Sequence, residues 1–278
     1  MFFLANFALR FQISMPGPIF YILTEFLLLL LGTPSSSLSG TVRAGQMVQK
    51  STIPDSLVKH IYLSFDDGPM PGTSNCITIC EKQKVAATFF QVAFHQSRNS
   101  YGQNLYNRIS KNGDLFLIAN HSYSHAFYGD YLEYYHHADA ALEDFIKADR
   151  ILQTGNTIAR LPGNNAWNTE VAKRASGLVR PLVKKMDSVG YNVIGWDMEW
   201  HFNKLGKPVD SPEAIASLAD SLLLKNKTKT KNHLVILMHD HMFRTSTDSL
   251  KLSTMIQMLK QHPEYQFEKL TSYPGQKQ

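Results

Sequence analysis

Continuously apolar runs recur along the chain at 61–65, 85–92, 115–120, 157–161, 191–196 and 233–238, nearly all followed by a stretch of helical pattern. This alternation limits the available folds more than any other feature. The runs are apolar throughout, not at every second residue, so both faces of each strand are expected to be buried. Helices are expected over 74–84, 101–112, 130–152, 169–189 (interrupted at Pro181) and 250–261, with another opened by Ser211-Pro212-Glu213, where a capping serine precedes proline at the first turn. A last strand is expected at 265–270. Strand–helix units of this kind give an α/β fold with a parallel sheet covered on both faces. The pattern alone does not choose between an open sheet and a barrel. At 278 residues the chain is long enough for one large domain with a substantial core.

The polar residues fall at or just beyond the carboxyl ends of the strands. Asp66 and Asp67 end the first run, His121 and His125 follow the third, Arg160 the fourth, Asp197 and Glu199 the fifth, and His239 the last. Convergence at that end is how sites are built on α/β folds. Adjacent residues of a strand point to opposite sides, so Asp66 and Asp67 can serve one site only if the Gly68-Pro69 turn re-aims one of them. His121 and His125 are four residues apart, a spacing that stacks two imidazoles on one face of a helical turn. With Asp67 they supply two nitrogens and one oxygen. Such a set leaves open positions on a divalent ion for water and substrate.

Four segments, Phe65-Asp66-Asp67-Gly68-Pro69, His121-Ser122-Tyr123-Ser124-His125, Arg160-Leu161-Pro162-Gly163 and Leu237-Met238-His239, together resemble the ordered motifs of the polysaccharide deacetylases, the NodB-homology domains of carbohydrate esterase family 4. The resemblance spans about residues 61–240. It implies a distorted (β/α) barrel that removes N-acetyl groups from an amino-sugar polymer such as peptidoglycan or chitin. It implies zinc, or another divalent cation such as cobalt or manganese, held by Asp67, His121 and His125. It further implies Asp66 as general base, Arg160 steadying its charge, and His239 as general acid. Asp197, ahead of Glu199, is expected to orient His239. Gly163 and Asn164 are expected to offer an oxyanion donor, Leu237 to line the acetyl pocket, and one tryptophan, Trp200, to contact the sugar. The third motif departs from the family, reading Arg-Leu-Pro-Gly where many relatives have Arg-Pro-Pro, and the acidic Trp196–Trp200 segment is out of register. Two rivals fit the same residues: hydrolysis of a non-sugar amide, and a glycan-binding protein without turnover.

Residues 1–40 have the layout of a secretory signal, with an apolar block over 19–32 and a small polar exit at Thr33-Pro34-Ser35, so residues 41–278 are expected to form the catalytic domain of an exported periplasmic, envelope or secreted protein. A retained anchor is the other reading, and the only expected membrane contact. The net charge of +5 is mild. The lysine-rich run 225–231 has no interleaved aromatic residue, so it reads as a solvated loop and no nucleic-acid partner is expected. Cys76 and Cys80, the only cysteines, read as buried apolar residues of a helix. A monomer is expected.

Overall fold

The computed structural model describes residues 53–277, so the expected signal and the domain boundary at 40/41 lie outside the described residues. Among the described residues no helix is long and apolar enough to cross a membrane. The described residues form ten strands: β1 (Lys59–Gly68), β2 (Ala87–Gln91), β3 (Phe116–Asn120), β4 (Ile158–Ala159), β5 (Trp167–Asn168), β6 (Lys173–Arg174), β7 (Asn192–Val193), β8 (Met198–Glu199), β9 (His233–His239) and β10 (Tyr265–Phe267). Their order in the sheet is β6-β5-β7-β4-β3-β2-β1-β9-β8, with β10 paired to β1 as well. All pairings are parallel except those of β5 with β6 and β7. The sheet curls into a distorted barrel whose hydrogen-bonded ladder ends at β6 and β8.

β1 organises the whole. One edge pairs with β9 from His60↔His233 to Asp66↔His239, and the other holds β10 over its first residues and β2 over its last. Period-two alternation then sorts its side chains. Ile61, Leu63 and Phe65 face outward into a core shared with Cys76, Ile77, Ile215, Ala219, Met255 and Ile256 of the surrounding helices. Tyr62, Ser64 and Asp66 face the interior, where Tyr62 packs with Phe90, Trp167 and Val235. β9 obeys the same rule: Leu234, Ile236 and Met238 join the outer core, while Val235 joins the inner one.

The helices Thr73–Gln83, Ser100–Ser110, Pro212–Leu224 and Ser246–Leu259 lie close to the expected positions, and Ser211 caps the third by accepting from the Ala214 N–H at 3.2 Å. Cys76 and Cys80 are buried in the first, and burial pushes both thiols up. Two expectations fail. The stretch 130–152 is two helices, Tyr131–His136 and Ala138–Leu152, divided where His137 leaves helical geometry. The stretch 169–189 is helical only over Arg180–Ser188; residues 167–174 form the antiparallel β5–β6 pair, closed by the Thr169 hydroxyl accepting from the Ala172 N–H at 3.0 Å.

Candidate active site

The turn after β1 does re-aim one carboxylate. Asp67 has φ +73, in the left-handed region, so its side chain swings to the cavity that Asp66 already faces from the strand. His95 supports the turn from outside. Its ring nitrogen Nδ1 lies 2.8 Å from the Asp67 carbonyl, which can only accept, so Nδ1 carries the proton. His95 lies in the short helix Ala93–Ser97, and nothing in the sequence marks it for this role.

The two histidines are brought together without a right-handed helical turn. Ser122 has φ +70, and residues 125–128 all lie in the left-handed region, at +53, +58, +51 and +62. Each such residue costs about 1–2 kcal/mol. A buried anchor offsets that cost: Asp144 Oδ2 accepts from the Tyr123 N–H (3.2 Å), the Ser124 N–H (3.1 Å), the Ser124 hydroxyl (3.1 Å) and the Tyr134 hydroxyl (3.3 Å). Ser122 adds a bond from the His125 N–H at 3.0 Å. Asp144 sits in the middle of a helical pattern, where nothing in the sequence marked it.

His121 Nδ1 lies 3.0 Å from the Arg160 carbonyl and must donate to it, so the neutral ring aims the lone pair of Nε2 into the cavity. There Asp67 Oδ1 lies 3.5 Å from His121 Nε2 and 3.0 Å from His125 Nε2, yet this buried oxygen makes no hydrogen bond. Burial would raise the Asp67 carboxyl, but the two imidazoles outweigh it and hold the group well below the usual carboxylate range. Burial likewise would lower His121, and Asp66 and Asp67 together raise it instead. A carboxylate oxygen and two imidazole nitrogens converging in one buried place make a donor set suited to a cation. Their ligand atoms all lie within 4.8 Å of one another, so the residues fit a divalent metal.

Asp66 is held separately. Arg160, fully buried, donates from Nη1 to Asp66 Oδ1 at 2.8 Å and to the Ser64 hydroxyl at 2.8 Å. Its Nε donates to the Ile194 carbonyl at 3.1 Å and Nη2 to the Gly195 carbonyl at 2.8 Å, while its plane lies over Phe90. The guanidinium therefore ties β1 to residues 194–195. Asp66 Oδ2, left free, lies 3.7 Å from His121 Nε2.

Asp66, Asp67, His121 and His125 line one cavity of about 240 Å³, together with Tyr131, Gly163, Trp196, Glu199, Phe202, Leu237 and His239, while Arg160 lies behind Asp66 and outside the lining. Gly163 has φ +62 and lies so close to Tyr131 that a β-carbon there would come within 2.8 Å of the ring. Asn164 is not among the lining residues, and its N–H donates to the Leu161 carbonyl at 3.3 Å. Two expected residues are elsewhere. Asp197 accepts from the N–H groups of Lys229 (2.5 Å) and Val235 (2.8 Å), turned away from His239, and burial lifts its carboxyl to about 6. Trp200 has no exposed surface; it packs on Phe243 and donates its indole N–H to the Asp210 carbonyl at 3.1 Å. The acid and the indole that do line the cavity are Glu199 and Trp196. His239 Nδ1 is buried and unpartnered.

An α/β barrel carrying acids, imidazoles and a buried guanidinium at the carboxyl ends of its strands defines the class of protein. The family profile described as polysaccharide deacetylase matches residues 55–176. A peptidoglycan-N-acetylglucosamine deacetylase of Bacillus cereus is 30% identical over 186 residues, covering 66% of this chain and 60% of that protein. Among solved structures, the catalytic domain of peptidoglycan N-acetylglucosamine deacetylase from Eubacterium rectale has a TM-score of 0.57 at 27% identity, over 80% of this chain and 93% of that one. A family 4 carbohydrate esterase from Streptomyces lividans, solved with acetate, shares the fold with a TM-score of 0.52 at 18% identity, over 78% and 96%. Residues 55–176 thus carry a polysaccharide deacetylase domain, the NodB-homology domain of that family.

Proposed function

We propose that this protein is a metal-dependent hydrolase that removes the N-acetyl group from an amino sugar of a peptidoglycan-type glycan, acting in the cell envelope or outside it. One observation carries the reading: Asp66, the Asp67–His121–His125 donor set and His239 all open on the same small cavity. The activities named for the Bacillus cereus and Eubacterium rectale proteins support the substrate. Since the chain spans only 60% of the length of the first of these, that substrate is inferred.

An amide is a poor electrophile with a poor leaving group, so hydrolysis needs electrophilic help at the carbonyl, a base for water and an acid for the amine. In this reading Asp67, His121 and His125 hold zinc or a similar cation, which when bound polarises the acetyl carbonyl and makes water more acidic. Asp66 accepts the proton of the attacking water at Oδ2, because Oδ1 is engaged by Arg160. Arg160 holds that carboxylate in place. His239 delivers a proton to the departing nitrogen. Glu199, which lines the cavity with His239, takes the orienting role expected of Asp197, and Gly163 is the oxyanion donor of the Gly163–Asn164 pair, since the Asn164 N–H is engaged. Leu237 and Trp196 enclose the acetyl group and the ring.

The test is acetate release from peptidoglycan and chitin oligomers by protein stripped with chelator and then reloaded. Release should vanish and return. Asp66→Asn should retain bound metal and lose about 10²–10⁴ in turnover. Near-normal turnover by Asp66→Asn with its metal in place would overturn the assignment of the base.

A further inference from the structure

A second groove opens from the same cavity, sharing Asp67 and Phe202 with it and continuing past Lys204, Gly206, His241 and Arg244. We infer that this groove is a cationic subsite for a carboxylate carried by the sugar next to the one deacetylated. The inference rests on the deacetylase reading above.

The groove is held in shape. Its wall is the turn 201–209, where Asn203 accepts at Oδ1 from the N–H groups of Leu205 (2.9 Å) and Lys207 (3.2 Å), and the Gly206 N–H donates to the Asn203 carbonyl at 2.7 Å. Gly206, at φ +67, lies flat on the floor, where a β-carbon would come within 2.9 Å of the His241 ring and 3.1 Å of the Arg244 guanidinium. Arg244 is fixed by donating from Nη2 to the Leu205 carbonyl at 2.6 Å, which leaves its other donors uncommitted. Phe202 stands between the two cavities, its ring held edge-on by His239 and His241 with centroids 5.0 and 4.5 Å away. An aromatic face in that position suits a sugar ring.

The charge balance points to an anion. Among the described residues Lys204 and Arg244 have no carboxylate within ion-pairing distance, and the groove's one lining acid is Asp67, whose charge is directed at the metal donors. The basic groove beyond Trp196 differs. There Lys227 and Lys229 stand over Asp197, which already accepts from the Lys229 N–H, while the Lys229 ammonium donates to the Lys173 carbonyl. A guanidinium beside an ammonium matches a carboxylate. On a peptidoglycan-type strand that carboxylate is available either on the lactyl ether of the neighbouring sugar or on a peptide attached to it. A chitin oligomer offers none.

Acetate release should be measured on lactyl-bearing strands without peptide, on peptide-bearing strands and on chitin oligomers of equal length, with Lys204→Gln, Arg244→Gln and both together. The ratio of kcat/KM on the acidic strand to that on chitin oligomer should fall about tenfold in the double variant, through KM, with high salt producing the same loss in the unmodified protein. A loss confined to peptide-bearing strands assigns the groove to the peptide carboxylate; a loss confined to strands without peptide assigns it to the lactyl carboxylate, which the peptide linkage otherwise converts to an amide; a loss on both shows that the groove takes either carboxylate. Lys204 makes no side-chain contact that folding needs, so an unchanged ratio in Lys204→Gln, with the salt effect also absent, overturns the inference. If no polymer releases acetate, the deacetylase reading fails. Retention of Asp66→Asn protein on peptidoglycan, with and without the groove substitutions, then decides the subsite separately.

Discussion

Asp144 is the most informative residue to perturb, because it touches no reacting atom yet holds the loop that presents His125. Asp144→Ala removes the acceptor from four donors, two of them backbone N–H groups of a buried turn. Hydrogen bonds to a charged group contribute about 1.5–3 kcal/mol each, but four donors share one oxygen at 3.1–3.3 Å and will not add independently. Counting them as about two full bonds gives a loss of roughly 3–6 kcal/mol. For a domain of this size that lowers Tm by roughly 6–24 °C. Residues 125–128 also lose part of what holds them left-handed, at about 1–2 kcal/mol of strain each, so metal affinity should drop roughly 10- to 100-fold, as when a group supporting a metal ligand is lost. Asp144→Asn keeps one oxygen in place without its charge and should cost about 1–2 kcal/mol. Urea unfolding of metal-free protein isolates the stability effect, and equilibrium dialysis against cobalt isolates affinity. An Asp144→Ala protein that loses stability but binds cobalt unchanged would refute the coupling, and would assign the loop's shape to Ser122 and local contacts alone.

Substituting His121 by Ala should abolish metal binding with activity; a full equivalent of metal in purified His121→Ala, read by elemental analysis, refutes the donor set. The two tryptophans separate cleanly: Trp200→Ala should cost about 3–5 kcal/mol of stability in urea, while Trp196→Ala, on the cavity wall, should chiefly raise KM. His233 gives a pH effect of definite sign. Burial, and then the stacked His60 ring 4.4 Å away, pull it down from 6.5 to about 4, so the folded form disfavours its protonation. Its contribution is present above 6.5 and is lost as pH falls from there toward 4. His233→Gln should flatten the fall in unfolding midpoint over that window, and an unchanged slope counts against the burial argument.

The sequence carried much of this architecture because the strongest signals were local. The apolar run ending in Asp66-Asp67-Gly68-Pro69 fixes both the central strand and the turn that re-aims Asp67. What was illegible depended on distant partners. Residues 169–174 look helical alone, yet β5 finds partners in β6 and in Val193 of β7, and pairing overrides propensity. The spacing of His121 and His125 fits a helical turn, but Asp144, about twenty residues later, stabilises left-handed geometry that sequence periodicity does not encode. His95 depends similarly on a carbonyl twenty-eight residues earlier.

The misplacement of Asp197 and of Trp200 has a single cause. Ile194 and Trp196 belong to the inner core, so counting by twos along a continuous strand would keep Met198 and Trp200 inside. The strand is not continuous. β7 pairs near one end of the ladder and β8 at the other, and residues 194–197 cross the opening between them with a bend at Asp197. The N–H groups of Ile194 and Asp197 still reach the carbonyls of Ala159 and Val235, but other crossing groups are satisfied by side chains: Arg160 takes the carbonyls of Ile194 and Gly195, and Asn165 accepts from the Trp196 N–H and donates to its carbonyl. Beyond the bend the alternation is shifted by one, which sends Met198 and Trp200 into the outer core and brings Glu199 to the cavity. Arg160 thus does two things at once. It fixes the carboxylate proposed as base, and it holds the crossing that determines which acid stands beside His239.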